Sequence, residues 1–150
     1  MKRVEESEVV AGLVVHLDTT SLRTRGDVET NAEVAPTGDR AVQGPHYFLI
    51  VDVDQAAKLA TAMPLYSNQA PGSELLDESR KAGLASKWIG APSNVSRFQH
   101  WRLPTSAIPG ASGTKESSAL DRRTYALGDA KELARLRALE AGSRAKYRRA

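Results

Sequence analysis

One histidine in this chain stands where an acid–base group could work. In the stretch VQGPHYFLIVDVD (42–54), Gly44-Pro45 leads to His46 and Tyr47, then into the most apolar run of the sequence, Phe48 to Val51. A polar ring at the mouth of a strand built for burial either starts that strand or takes part in chemistry. An imidazole, with an ordinary pKa of about 6.5, can give or take a proton near neutrality. His16 and His100 are candidates for a second acid–base partner, although both lie far from His46 in sequence. The chain has no cysteine, which removes thiol nucleophiles, disulfides and cysteine zinc sites together. It has no Gly-rich phosphate loop, HExxH, GxSxG or metal-ligating cluster, so neither a metal nor a cofactor is expected.

Trp101 lies beside Arg102 with Arg97 nearby, a grouping that stacks a base and holds phosphates in single-strand binders. Its competing role is a core anchor, which the scarcity of aromatic residues, 5% of the chain, favours. Trp88, Phe48 and Phe98 invite the same reading. The net charge of +3 is unevenly placed, since residues 129–150 carry seven basic and three acidic side chains. A basic tail of this kind attracts nucleic acid or is simply a solvated helix face.

The elements that must position these residues are short. Residues 8–19 read as a first strand rich in Val and Leu, and 45–53 as a second. Residues 56–67 read as a third, which Pro64 demotes to an edge or an ending. The 25 residues from 20 to 44 show no sustained periodicity, and a connection of that length is usually functional or mobile. A turn-rich loop covers 68–76, a short helix within 74–89 stops at Gly83, and 94–104 alternates like another strand. Residues 105–121 start as a short strand and dissolve into small polar residues.

The last segment is the most regular. Asp129 suits an N-cap, with Glu132 three residues on as in a capping box, and Leu133, Leu136 and Leu139 recur at helical spacing with Ala130, Ala134 and Ala138. A single domain follows from these elements: a small, partly open β-barrel over about 8–120, an amphipathic helix over about 129–145 and a basic tail at 144–150. At 150 residues it can bury a core unaided. No secretory signal and no membrane-length apolar run is present, so a cytoplasmic protein is expected.

Two stretches of the sequence resemble the PemK/MazF-like toxin endoribonucleases. In that family a flexible loop leads into a Gly-x-Arg-Pro-x-Leu-Ile-Val strand, followed by an Ala-Pro-Ile-Thr-Ser strand end. The first motif falls here on Gly44 to Val51 and the second on Met63, Pro64, Leu65, Tyr66 and Ser67. YALGDAKELARL (125–136) is similar to the family's closing turn and last helix. The resemblance covers roughly 9–67 and 120–140. It implies an SH3-like barrel, commonly a homodimer, that cuts single-stranded RNA without a metal and is held inactive by a cognate antitoxin. The chain departs from the pattern at three points: His46 takes the place of the catalytic arginine, Tyr66-Ser67 that of the Thr-Ser pair, and Leu13 that of the Asp after the first-strand glycine.

Metal-free RNA cleavage remains chemically possible with those replacements. His46 can act as base or acid, the hydroxyls of Tyr66 and Ser67 can donate hydrogen bonds at the phosphate, and Arg40 or Arg97 can supply positive charge. The 20–44 loop would serve as a flap over the groove, with Arg23, Arg25 and Arg40 placed for phosphate contact. Two other readings compete. One is a non-catalytic RNA- or protein-binding module on the same barrel; the other is a poison of a protein target acting through the C-terminal helix.

Overall fold

The structure is a computed structural model, which describes residues 3–32, 41–69, 72–84, 87–112, 122–142 and 147–150. The chain forms a mainly β fold around an antiparallel sheet that stays open, closed off at the C-terminus by a helix. Strands β1 (Leu13–Asp18), β3 (Pro45–Asp54) and β4 (Leu59–Tyr66) form its centre. Two-residue β2 (Glu29–Thr30) and β8 (Trp101–Pro104) extend it on one side, and β9 (Arg123–Tyr125) and β6 (Lys81–Ala82) on the other. β10 (Arg148–Arg149) pairs with β2, giving the order β10-β2-β8-β4-β3-β1-β9-β6. Thus the last residues of the basic tail form an edge strand, and the Ala150 amide donates to the Val28 carbonyl at 2.9 Å.

Pro64 does not end a strand, and β4 is not an edge. Residues 59–62 pair with β8, whereas Leu65 and Tyr66 pair with β7 (Asn94–Ser96), which in turn pairs with β5 (Ser73–Leu75). Pro64 falls where the neighbour changes, the one stretch of β4 whose missing N–H breaks no ladder on that side. The expected strand over 94–104 is split for the same reason. Its halves meet different parts of β4, and Ser96 Oγ accepts from the Phe98 and Gln99 amides to turn the chain between them.

The alternation of the central strands makes two cores. Leu17, Phe48, Ile50, Ala62, Trp101 and Leu103 face an inner core, which helices α1 (Thr19–Arg25) and α2 (Ala107–Ala111) help to close. Val14, Leu49, Met63, Val95, Leu133 and Leu136 form an outer core, against which α3 (Ala130–Gly142) packs. A bulge at Val51 shifts the β3–β4 register, so that Ile50 faces Ala62 and Asp52 faces Thr61.

Several expected elements differ. The first strand begins at Leu13, because a 3-10 turn at Glu6–Glu8 and Gly12 at φ +104 precede it. The 20–44 connection opens with α1 and then β2; residues 33–40 lie outside the described residues. Asp18 Oδ1 accepts from the Thr20 amide and Gly26 ends the helix at φ +84, so its signals are its caps, seven residues being too few for a period. The expected helix within 74–89 is a 3-10 turn at Glu78–Arg80 between strands, since Asp77 Oδ1 engages the Ser79 amide and hydroxyl locally. The strand expected after 105 is α2. α3 is amphipathic as expected, with Leu133 and Leu136 buried, but Ala130, Ala134 and Ala138 are exposed. Asp129 Oδ1 accepts from the Glu132 amide, while Glu132 turns to Tyr125 and Arg135, so only half of the capping box forms.

Candidate functional site

His46 is the second residue of β3 and stands opposite Leu17 of β1, at the mouth of the inner core. It shares this face with Phe48, whose ring lies 6.0 Å away, centroid to centroid, and with Tyr66 at 5.3 Å, both edge-to-face. The ring is half-buried. Its Nδ1 lies 3.0 Å from the Tyr47 carbonyl, and a carbonyl can only accept, so Nδ1 carries the proton of the neutral ring. The lone pair is therefore on Nε2. Burial pushes the imidazole pKa below its ordinary 6.5, against the opposing effect of the Tyr47 carbonyl. His46 is thus a neutral base at physiological pH.

Gln99 ties the mouth together. Its side chain is 0% exposed. Oε1 accepts from Trp101 Nε1 at 2.9 Å and from the Val42 amide at 3.1 Å, and Nε2 donates to the Tyr66 hydroxyl at 3.3 Å. Arg23, from α1, donates through Nη2 to the Val42 carbonyl at 3.3 Å and holds its guanidinium 5.7 Å from the centre of the Trp101 ring. Its Nε is buried with no hydrogen-bond partner among the described residues. The end of the 20–44 connection is therefore pinned from both sides, by Gln99 and by Arg23.

The structure thus brings His46, Tyr66 and Arg23 to one mouth and sets Ser67, exposed, just beyond it. Two of the other expected residues are engaged elsewhere. Trp101 is 0% exposed and cannot stack a base; it is a core anchor, packed edge-to-face on Phe48 at 5.8 Å. Arg25 is exposed but held in a two-pronged ion pair by Asp27, at 3.0 Å for each bond. Arg97 is exposed on the β7–β8 connection, two residues before Gln99. Arg40 lies outside the described residues.

The structure sets His16 on the other face from His46 and buries His100. His16 pairs with Tyr47, and consecutive strand residues point to opposite faces, so His16 is on the far side of the sheet. His100 is 0% exposed, and its main chain is clamped by Asn31, whose Oδ1 accepts from the His100 amide at 2.8 Å. Sequence reasoning also missed Gln99, for which a lone amide between Phe98 and His100 gives no signal. Phe98 does not serve as a buried anchor: its ring is 37% exposed and covers Gly72. Among the described residues no three His, Asp or Glu side chains gather as a metal site requires. A cavity of about 300 Å³ lies elsewhere, between α3 and the bulge of β3, lined by Val51, Asp52, Leu133 and Arg137 among others. No helix among the described residues is long and apolar enough to cross a membrane. Comparison with protein-family models, with curated proteins and with solved structures finds no match to this chain.

Proposed function

We propose that this chain is a metal-independent endoribonuclease that cuts single-stranded RNA, the toxin of a toxin–antitoxin pair, with His46 as its general base. The observation that carries this reading is the tautomer and placing of His46: a half-buried neutral imidazole at a mouth, its Nδ1 proton occupied by the Tyr47 carbonyl, so that Nε2 is left as the basic atom. The resemblance of residues 44–51 and 63–67 to PemK/MazF-like enzymes supplies the substrate class, a cognate antitoxin as partner and pairing of two copies as the assembly.

In this scheme Nε2 takes the proton of a ribose 2′-hydroxyl, and the 2′-oxygen attacks the neighbouring phosphorus. The bond from phosphorus to the 5′-oxygen breaks, leaving a 2′,3′-cyclic phosphate on one fragment and, once a proton is taken up, a 5′-hydroxyl on the other. Arg23 offers the charge for the phosphorane, and the hydroxyls of Tyr66 and Ser67 offer hydrogen bonds to its oxygens. General base catalysis of this kind contributes about 10²–10⁴ in rate.

The test is incubation of the purified protein with a long single-stranded RNA in EDTA beside His46→Ala, with products sized on a gel. Discrete fragments ending in cyclic phosphate from the wild type alone are expected. Intact RNA with wild-type protein, shown by mass to be free of a co-purified partner, overturns the enzyme reading in favour of a binding module. Equal cutting by both proteins keeps the enzyme and removes His46 from its site.

A further inference from the structure

Behind His46, on the opposite face of β3, lies a second group of residues that the cleavage scheme does not use. Tyr47 follows His46 and so projects outward. Its ring meets His16 edge-to-face at 4.7 Å, and the guanidinium of Arg123, at the start of β9, sits 4.3 Å from its centre. Trp88 bounds the same guanidinium on another side at 6.0 Å. Trp88 is itself fixed, donating through Nε1 to the Ala82 carbonyl at 3.0 Å, while its own carbonyl accepts from buried Lys81 at 3.1 Å. Gly83, at φ +131, lets this segment press onto β9: a Cβ there would stand 2.9 Å from the Arg122 carbonyl oxygen and 3.3 Å from Arg123 Cα.

Arg123 differs from most arginines around it. Arg25, Arg80, Arg122, Arg135 and Arg137 are each paired with a carboxylate. Arg123, among the described residues, is engaged through ring faces alone. A guanidinium stacked on an aromatic ring keeps its N–H edge for a planar, two-pronged acceptor, and the stacking holds it oriented in advance. Asp18, an acid on this face of β1 four residues from Val14 opposite Arg123, accepts from the Thr20 amide at 3.0 Å.

We propose that Arg123, stacked on Tyr47 beside His16, is a phosphate-binding subsite for single-stranded RNA on the outer face of the sheet. This rests on the RNA-cutting reading of the mouth. Among the described residues the path between the two sites is open: Pro45 is exposed, and Gly44, at φ +61, has nothing within 4 Å of where a Cβ would stand. A strand leaving His46 can therefore cross the Gly44-Pro45 end of β3 and place a downstream or upstream phosphate on Arg123.

The probe is a short fluorescent 2′-O-methyl single-stranded RNA, which the wild-type chain can bind but not cut because the nucleophile is blocked. Binding is followed across a salt series. Arg123→Gln is expected to weaken affinity about tenfold at low salt, and to make the slope of log K against log salt shallower by about 0.7, the release expected for one single-strand phosphate contact. A role confined to packing would leave that slope unchanged. Arg123→Lys, with circular dichroism to verify its fold, is expected to keep the slope and lose part of the affinity. RNA bound by the wild type and by Arg123→Gln with equal affinity and slope overturns the subsite and leaves the nuclease reading standing. If Arg123→Gln does not fold, wild-type affinity in Arg123→Lys overturns it. A wild-type chain that binds no RNA at any salt overturns both.

Discussion

The rings of His46 and Tyr66 meet edge-to-face with centroids 5.3 Å apart, although 19 residues of a hairpin separate them in the chain. The β3–β4 register accounts for the meeting. Phe48 faces Pro64 and the strands run antiparallel, so two steps outward along each strand bring His46 and Tyr66 together at the open end. This contact half-buries the imidazole and gives the mouth an acid–base group next to a hydroxyl.

Cleavage should therefore depend on pH through His46. Burial lowers its pKa from 6.5, so the basic form predominates at pH 7 and is lost as pH falls through the lowered value. A profile of kcat/KM on a single-stranded RNA should show an acid limb with its midpoint below 6.5. A midpoint at or above 6.5, or a limb that persists in His46→Ala, would remove this residue from the reaction.

The same burial makes stability pH-dependent, with a definite sign. The unfolded chain binds a proton on His46 at higher pH than the folded chain does, so stability is complete above 6.5 and falls as pH drops through the folded-state value. Urea midpoints for wild type and His46→Gln should converge as pH is lowered from 7, compared with their separation at neutrality. Parallel curves throughout would mean that the ring is solvated in the folded chain.

Trp101 supplies a stability test that separates core from nucleic-acid contact. It is buried against Phe48 and bound by Gln99, so Trp101→Ala should cost about 3–5 kcal/mol of unfolding free energy, read by denaturant titration. A stacking platform would give the opposite pattern, with RNA affinity lost while stability is kept.

On the outer face, the Tyr125 hydroxyl donates to Glu132 Oε2 at 2.9 Å and accepts from the Asp77 amide at 3.2 Å, joining β9 to α3. Burial, then Glu132 beside it, pushes its pKa from 10.0 up to about 12, so the unfolded chain ionises first on the alkaline side. Stability from this group is full below pH 10 and declines toward about pH 12. Tyr125→Phe should cost about 1–3 kcal/mol at neutral pH and flatten that alkaline decline. Retention of the full decline in the variant would assign it to another group.

What the sequence shows and what it hides have the same physical origin. β3, β4 and α3 are long enough for their periods to show, and His46 was legible as a polar ring at a strand mouth, whereas Tyr66 was singled out only through the resemblance to a known motif. α1 has seven residues and α2 five, too short for a pattern, and only the caps of α1 signal it. The face on which a histidine sits depends on register, which a single strand does not contain; hence His16 looked available to His46 and is not. Gln99 reaches Tyr66 and Arg123 stacks on Tyr47 across 33 and 76 residues of chain, contacts created by the β4–β7–β8 crossing and by β9, and no local spacing encodes them.

Gln99 yields the most discriminating prediction about the mouth. Gln99→Leu leaves two buried donors, the Val42 amide and Trp101 Nε1, without their acceptor, at about 1–3 kcal/mol each. Gln99→Glu keeps an acceptor for both donors but loses the Nε2–H that reaches Tyr66. The leucine variant should therefore be the less stable in urea, and limited proteolysis should cut its 41–43 segment faster, because one of the two pins on Val42 is gone. Arg23, the other pin, still holds the Val42 carbonyl, so the segment should loosen without global unfolding. The glutamate variant should keep both pins on Val42 while its RNA cleavage falls, since the Tyr66 hydroxyl would then donate to the buried carboxylate instead of to the phosphate. Equal protease sensitivity in wild type and Gln99→Leu would show that Arg23 alone sets the position of this segment.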